Sequence, residues 1–147
     1  MLDITIKHFN ELNRDELYQL LQLRSQVFVV EQNCVYLDLD GKDQSAIHII
    51  GKKDSKIVAY TRAFAPGDYF KQANIGRVVV SNKERSHGYG KVIMEASIKA
   101  VEDVFNETTI KLSAQAYLKK FYNSLGFKTY GEGYLEDGIP HIAMLRN

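Results

Sequence analysis

The feature that most constrains the fold is a run of branched apolar residues that changes into a helical pattern across a loop with two glycines. The stretch VVVSNKERSHGYGKVIM begins at Val78 and ends at Met94. Consecutive valines favour a strand that is buried on both faces, and apolar residues recur at helical spacing from Gly88 to Phe105. A strand followed directly by an amphipathic helix predicts a sheet that is covered by helices.

The rest of the chain alternates between the same two patterns. ITIKHF alternates as a strand does, and Asn13 with Glu16 forms a capping box before an amphipathic helix. IHIIGKKDSKIVAYTRAF predicts two strands joined by a turn at residues 53–55, and TIKLSAQ predicts another strand. The C-terminal part predicts a short helix that ends at Gly126 and a hairpin that turns at Asp137 and Gly138.

This order of elements predicts an α+β (α/β layered) fold, with a mixed central β-sheet flanked by helices. With 147 residues, no repeat and no linker, the chain suits a single domain over residues 1–147. The segment from Gln32 to Ser45 has the weakest pattern and could hold a short helix. The helix after the glycines is expected to bury Val92, Ile93, Ala96, Ala100, Val101 and Val104.

Charge and composition narrow the class of function. A net charge of +1 gives no electrostatic reason to expect a nucleic-acid partner. The single cysteine, Cys34, cannot form an internal disulfide, and the N-terminal residues lack the apolar core of a signal peptide. No apolar run is long enough to predict a membrane span. We therefore expect a cytoplasmic protein without a membrane partner.

The loop between the valines and the helix has the chemistry of an anion site. A helix N-terminus presents unpaired N–H groups and partial positive charge, and glycines let a ligand approach the backbone. The loop also contains cations at Lys83, Arg85, His87 and Lys91. Its spacing fits neither a P-loop nor the dinucleotide-binding fingerprint. A pyrophosphate would suit this loop; the alternative is a glycine-rich turn that only starts a helix.

The same stretch resembles motif A of the GCN5-related N-acetyltransferase (GNAT) superfamily, in which a strand precedes Gln/Arg-x-x-Gly-x-Gly/Ala and a helix. Arg85, Gly88 and Gly90 match that motif. SAQAYLKKFYNSLGF resembles the superfamily's second motif, with Tyr122 and a Gly-Phe ending. The stretches LLQLRSQVFVVEQNCVYLDLDGKD, GRVVV and DGIPHIAM resemble the ElaA-like branch.

The resemblance implies an N-acetyltransferase that moves an acetyl group from acetyl-CoA to a primary amine, without a metal. The acceptor would be a small-molecule or peptide amine, and many members of the superfamily form homodimers. The cofactor would lie between GRVVV and IKLSAQ, with pantetheine on the strand and pyrophosphate on the loop. The implied cofactor-binding residues are Val78, Val79, Val80, Arg85, Ser86, His87, Gly88, Tyr89, Gly90 and Lys91.

Tyr122 is the catalytic residue that the resemblance implies, because the CoA thiolate that leaves needs a proton or a hydrogen bond. The reference pKa values of about 10 for a phenol and about 8.5 for a thiol make full proton transfer uphill by roughly 2 kcal/mol. A hydrogen-bonding role is therefore favoured over early proton transfer. The alternative is that Tyr122 only packs in the core beside Phe121 and Leu125.

An acceptor amine must lose its ammonium proton before it attacks, so a base is expected. The candidates are Glu31, Asp38, Asp40, Asp43, His48 and His141. Glu31 is preferred as base and as acceptor-binding residue, and His141 is expected to face the acceptor pocket. The alternative for Glu31 is an ordinary loop carboxylate that pairs with a neighbouring arginine or backbone N–H.

Other functions are less well supported by the sequence. YLDLDGKD lacks the spacing of an EF-hand loop, and Cys34 has no identifiable histidine partner for a covalent mechanism. A non-catalytic acyl-CoA-binding sensor or interaction module is the alternative function. An acyl-homoserine-lactone synthase, which shares the fold, is a further one.

Overall fold

The computed structural model describes all residues from Met1 to Asn147. One mixed sheet contains eight strands in the order β1-β2-β3-β4-β5-β8-β6, and β7 also pairs with β8. The strands are β1 (Asp3–His8), β2 (Ile47–Lys53), β3 (Lys56–Phe64), β4 (Ala73–Val80), β5 (Ile110–Gln115), β6 (Lys128–Thr129), β7 (Tyr134–Glu136) and β8 (Ile139–Arg146). The helices are α1 (Arg14–Arg24), which continues as a π-helical turn over Ser25–Glu31, α2 (Tyr89–Phe105) and α3 (Lys119–Asn123).

The predicted fold class and the predicted elements are confirmed. At the start of α1 the Asn13 side chain accepts from the Glu16 N–H at 2.8 Å, and the Glu16 carboxylate accepts from the Asn13 N–H at 3.0 Å. Asp54 has a positive φ in the turn between β2 and β3, and so does Asp137 between β7 and β8. Gly126 follows α3 with a φ of +93°, which favours glycine at the end of a helix.

The helices cover both faces of the sheet because residues on each strand point alternately to either side. Ile49 of β2 and Ala59 of β3 pack in the larger apolar cluster with α2. Ile50 and Tyr60, one position further along each strand, pack in a second cluster with α1. α1 contributes an apolar stripe to that cluster, and Leu23 is one of its residues. The core is therefore two layers separated by the sheet. None of the helices is both long and apolar enough to span a membrane.

Two expectations about burial are wrong in detail. In α2, Val92 and Val104 are 40% and 43% exposed, and Met94 and Ile98 are buried in their place. The spacing gives the helical period, but the position of the sheet decides which side of the helix is covered. In β4 only the middle one of the three valines, Val79, is buried, because it packs in the cluster with α1, whereas Val78 and Val80 on the other face are only partly buried.

A gap in the sheet exists because β4 and β5 pair over a short distance only. The two parallel strands are joined at Ala73–Ile110 and at Asn74–Lys111, and the Asn74 side-chain amide donates to the Lys111 carbonyl at 3.0 Å. Beyond Asn74 the strands separate. The pairing of β4 with β3 shifts register between Tyr60 and Arg62, and Arg77 on the other strand has a φ of +50°. A bulge of this kind bends a strand, which opens a V between β4 and β5.

A buried ion network fixes the loop before β2. It joins arginines from α1, β3 and β4 to three aspartates of that loop: Arg24, Arg62, Arg77, Asp38, Asp40 and Asp43. Asp43 is central, because its Oδ1 atom lies 2.7 Å from Nη1 of Arg24 and 2.9 Å from Nη1 of Arg62. Burial by itself would raise the pKa of Asp43, but the two guanidinium groups lower it below its ordinary value. Asp43 is therefore held as a carboxylate.

Replacing Asp43 by Asn should be strongly destabilising, because it leaves Arg24 and Arg62 buried without their shared counter-charge. Loss of one partner of a buried ion pair costs about 3–5 kcal/mol. Urea unfolding measures the difference. Asp54→Asn is the matched control: Asp54 is exposed in a turn at a φ of +50°, which Asn tolerates, so a change within about 0.5 kcal/mol is expected. Equal unfolding midpoints for the two variants would contradict the role of the network.

Glu16 should give the protein a distinct acid sensitivity. Burial tends to raise the pKa of Glu16, but Lys7, the Asn13 N–H and Lys52 lower it from 4.5 to about 2. A carboxyl whose pKa is lower in the folded state than in the unfolded state stabilises the fold at every pH above the unfolded-state pKa. This contribution is lost as the pH falls from about 4.5 towards 2.

Glu16→Gln should therefore flatten the fall in melting temperature below about pH 4.5. Glu95→Gln is the control, since Glu95 is exposed on α2, and it should keep the wild-type pH dependence. Parallel curves for wild type and Glu16→Gln across this range would rule out the assignment.

Candidate active site

The V between β4 and β5 is the mouth of a cleft of about 700 Å³. Its walls come from the π-helical turn after α1, from β4 and β5, from the start of α2, from α3 and from the turn between β7 and β8. Of the 29 residues that line the cleft, 15 are hydrophobic and the others are polar, charged or glycine. A cleft of this size and mixed lining is typical of a small-molecule or cofactor site.

One end of the cleft is the glycine loop, residues 81–88, together with the first turn of α2. Gly88 precedes α2 with a φ of +77°, and no side chain caps the helix there. Ser86 also has a positive φ, of 71°. The first N–H groups of a helix have no intrahelical partner, so this end presents hydrogen-bond donors and partial positive charge. Arg85, Ser86, Gly88, Tyr89, Gly90 and Lys91 line the cleft. His87, the other predicted residue of the loop, is exposed and is not among the residues that line it.

The β4 side of the cleft has an edge without a partner strand. Beyond Asn74, pairing of β4 is restricted to β3, as in the pairs Tyr60–Val79 and Ala59–Val80. The backbone groups of β4 that point towards β5 are therefore outside any strand ladder. The Val80 carbonyl accepts from Nε of Arg85 at 3.3 Å. Val78, Val79 and Val80 all line the cleft, so the edge is open to an extended ligand.

Tyr122 lies in the opposite wall, on α3. Its side chain is 5% exposed and packs edge-to-face on Phe121 and Phe127, with ring centroids 5.1 and 6.0 Å away. Tyr122 belongs to the larger apolar cluster and also lines the cleft. Packing in the core is therefore compatible with contact to a ligand in the cleft. Burial raises the pKa of Tyr122 above its ordinary value. A phenol is protonated at neutral pH even at its ordinary pKa of about 10, so Tyr122 can donate a hydrogen bond.

Glu31 ends the π-helical turn after α1 and reaches the glycine loop. Its Oε2 atom lies 2.7 Å from Nη1 of Arg85, and both side chains are partly exposed. This pairing with a neighbouring arginine is the alternative expected for Glu31 from the sequence. Glu31 also lines the cleft, so it is near any ligand that enters and is already engaged by a cation.

A polar group lies on the β5–β8 side of the cleft. His141 is 7% exposed, with Nδ1 2.7 Å from the Ile139 carbonyl and Nε2 3.5 Å from a Glu136 carboxylate oxygen. Ser113 donates to the other oxygen of Glu136 at 3.4 Å and is also hydrogen bonded to the Tyr134 hydroxyl. Of this group only His141 was singled out from the sequence. Ser113 and Glu136 were missed because pairing among β5, β7 and β8 is needed to bring them together.

The other candidate bases lie away from the cleft. Asp38, Asp40 and Asp43 belong to the buried ion network and do not line it. His48 is fully buried, 2.6 Å from the Tyr60 hydroxyl and 2.9 Å from the Asp43 carbonyl. Burial lowers the pKa of His48, which keeps this imidazole neutral. These four residues therefore have a structural role.

The network nevertheless reaches the cleft through two residues that sequence patterns did not reveal. Tyr36 donates to Asp38 at 2.6 Å, and Arg77 stacks over the Tyr36 ring at 5.5 Å; both line the cleft. Nε of Arg77 is 2.8 Å from Asp38. Cys34 also lines the cleft, with Sγ 3.5 Å from the Asp137 carbonyl. The network thus sets the position of the wall between α1 and the β7–β8 turn.

Comparison with known proteins confirms the family. Residues 10–146 match the acetyltransferase (GNAT) domain. Protein ElaA from Escherichia coli (strain K12) is 44% identical over 141 residues, which are 95% of this chain and 92% of ElaA. The crystal structure of E. coli ElaA matches with a TM-score of 0.93 at 42% identity and covers 100% of both chains.

Two further solved structures share this fold. An acyl-CoA N-acyltransferase from Pseudomonas aeruginosa matches with a TM-score of 0.94 at 44% identity, over 100% of both chains. An aminoglycoside 6′-N-acetyltransferase complexed with coenzyme A has a TM-score of 0.72 at 18% identity, over 97% of this chain and 96% of the other; that identity shows a shared fold alone. The family match, the ElaA identity and the cleft between two diverging parallel strands agree, and the chain belongs to the GNAT family of acyltransferases as a homologue of ElaA.

Proposed function

We propose that this protein is an acetyl-CoA-dependent N-acetyltransferase that moves the acetyl group directly to a primary amine. The observation that carries the proposal is the end of β4–β5 pairing after Asn74, which opens a cleft onto the glycine loop at the start of α2. Such a cleft offers backbone groups to an extended chain and N–H groups to an anion. Coenzyme A combines both features in one molecule, an amide-containing pantetheine arm and a pyrophosphate.

The cofactor would be held mainly by the backbone. Pantetheine amides can pair with the β4 edge at Val78 and Val80, which substitutes for the missing strand partner. The pyrophosphate would accept from the N–H groups of residues 85–91, with Arg85 and Lys91 adding charge. The aminoglycoside acetyltransferase that shares the fold is complexed with coenzyme A, which supports this class of ligand.

In the proposed reaction the neutral acceptor amine attacks the thioester carbonyl carbon. The new N–C bond forms, the C–S bond breaks, and the electron pair stays on the CoA sulfur. Tyr122 lines the cleft, and its phenol is protonated at neutral pH, as any phenol of ordinary pKa is; burial raises this pKa further. A hydrogen bond from this phenol would stabilise the departing thiolate, which is electrostatic stabilisation of charge that develops in the transition state.

The first test is binding. At 100 times its dissociation constant a ligand adds about 2.7 kcal/mol of stability, which for a chain of this length raises the melting temperature by several degrees. Acetyl-CoA should give this shift, whereas ATP and NAD at equal concentration should not. An equal shift with ATP would indicate that the loop binds phosphate groups in general. No shift with acetyl-CoA would contradict the proposal.

The second test is turnover. Tyr122→Phe keeps the packing on Phe121 and Phe127 but removes the hydroxyl. We expect turnover to fall by about 10²-fold, the low end for loss of a proton-transfer or hydrogen-bonding group, with acetyl-CoA affinity unchanged. CoA release is measured with spermidine, glucosamine, lysine and a short peptide with a free N-terminus.

Tyr18→Phe is the matched control, because Tyr18 is exposed on α1, outside the cleft. Equal turnover in the Tyr122 and Tyr18 variants would remove Tyr122 from the mechanism. Acetyl-CoA binding by the wild-type protein without CoA release for any amine would instead favour the non-catalytic sensor.

A further inference from the structure

The β5–β8 side of the cleft contains a base that the proposed transfer needs. We infer that His141 accepts the ammonium proton of the acceptor amine through Nε2, and that Glu136 stabilises the imidazolium that forms. This inference rests on the proposed acetyl transfer to an amine and specifies one of its steps. It moves the role of base away from Glu31, the residue preferred from the sequence.

The hydrogen bond at Nδ1 determines the tautomer of His141. Nδ1 lies 2.7 Å from the Ile139 carbonyl oxygen. A carbonyl oxygen can only accept, so Nδ1 must hold a hydrogen. In the neutral imidazole the other nitrogen, Nε2, then has a lone pair and no hydrogen. His141 is 7% exposed and lines the cleft, so its ring is held in place at the edge of the space that a ligand would enter.

The neighbour of that basic atom is a second acceptor. Nε2 of His141 and Oε2 of Glu136 are 3.5 Å apart, and in the neutral pair no proton lies between them. An ammonium group that enters the cleft can donate to both atoms. After proton transfer, the imidazolium N–H faces the Glu136 carboxylate, which lowers the free energy of the charged product.

Glu136 is held in position by its neighbours on the sheet. Ser113 of β5 donates to its other carboxylate oxygen at 3.4 Å and is itself hydrogen bonded to the Tyr134 hydroxyl. The Tyr134 ring stacks on the His141 ring, with centroids 6.3 Å apart. Strand pairing sets these positions, because His141 faces Gln115 of β5 on one side and Tyr134 of β7 on the other. The group is therefore built from three adjacent strands.

Glu31 is less suited to the same task. Its carboxylate is already paired with Arg85 at 2.7 Å, and protonation would break that ion pair. The titratable and charged groups that line the two cavities around His141 are Glu31, Cys34, Tyr36, Arg77, Arg85, Tyr89, Lys91, Tyr117, Lys119, Tyr122, Tyr134, Glu136 and Asp137. Glu136 is the one in contact with Nε2.

The proton and electron balance of the step is complete without any further reagent. The acceptor R–NH₃⁺ gives one proton to Nε2 of His141 and becomes R–NH₂, which attacks the thioester and forms the N–C bond. The C–S bond breaks and CoA leaves as a thiolate hydrogen bonded to Tyr122. The second proton of the amine nitrogen goes to the thiolate, and His141 releases the first proton to solvent. The products are the N-acetyl amide, CoA–SH and one proton.

The test is the pH dependence of kcat/KM for the best amine of the panel. In the wild-type protein kcat/KM should rise with pH between about 5 and 8, where imidazole loses its proton. His141→Asn keeps a donor for the Ile139 carbonyl, because the Asn side-chain nitrogen replaces Nδ1, but removes the base. We expect kcat/KM at pH 7 to fall by about 10²–10⁴-fold and the rise between about pH 5 and 8 to disappear. The melting-temperature shift with acetyl-CoA should be unchanged.

Glu136→Gln tests the positioning role separately. It keeps an acceptor for Ser113 but removes the charge, so the imidazolium is less stable and the rise in kcat/KM should move to lower pH. On the plateau above about pH 8, kcat/KM should fall by up to about tenfold for each pH unit by which the rise moves, because a weaker base takes the ammonium proton less readily. Glu132→Gln is the control, since Glu132 is exposed in the loop before β7, and it should match the wild type.

An activity-independent measurement checks the tautomer. The ¹⁵N spectrum of the His141 ring in the protein without ligands should show a protonated Nδ1 and an unprotonated Nε2 above neutral pH. A protonated Nε2 with a free Nδ1 would overturn the inference.

Three kinetic outcomes separate the inference from the proposed function. A His141→Asn variant that keeps the pH-dependent rise would overturn the inference while the transferase function stands. Loss of that rise in Glu31→Gln, with His141→Asn unaffected, would return the role of base to Glu31. Acetyl-CoA binding without CoA release for any amine in the wild type would overturn the inference and the proposed function together.

Discussion

The parallel pairing of β4 with β5 ends after two residue pairs, and the rest of the site follows from that interruption. At the end where β4 and β5 are paired, the Asn74 side chain joins the two strands through its hydrogen bond to the Lys111 carbonyl. Arg77, at a positive φ in the bulge, bends β4 away from its neighbour. The gap leaves one edge of β4 without a partner strand and places the N-terminus of α2 at the end of the gap. A continuous β4–β5 ladder would remove the cleft and bury the same residues as ordinary core.

The buried ion network supports the same opening from outside the sheet. Arg77 is part of the bulge and part of the network, since its guanidinium contacts Asp38. Asp43 joins the arginines of α1 and β3. A loop with little regular structure is thereby fixed by charges from three separate elements, and it supplies Tyr36 to the cleft wall. Buried ion pairs contribute little net stability compared with apolar packing, which suggests that position is what this network provides.

Local spacing made some of this predictable from the sequence. The capping box of Asn13 and Glu16, the turn at Asp137 and the glycine loop before α2 each depend on residues a few positions apart. The contacts among Ser113, Glu136 and His141 could not be predicted in the same way, because they arise from strand pairing between distant segments. Periodicity gave the helical character of α2 but not its buried side, which is why Val92 and Val104 were assigned to the core and are exposed.

In the glycine loop, the positive charge of Arg85 is paired with the carboxylate of Glu31. In the proposed complex the pyrophosphate would approach the same guanidinium. Both side chains of the pair are partly exposed, and exposed ion pairs contribute only about 0–1 kcal/mol, so the pair would be a weak obstacle to that approach. A guanidinium has five N–H donors, so Arg85 would be able to bind the anion and keep its contact with Glu31.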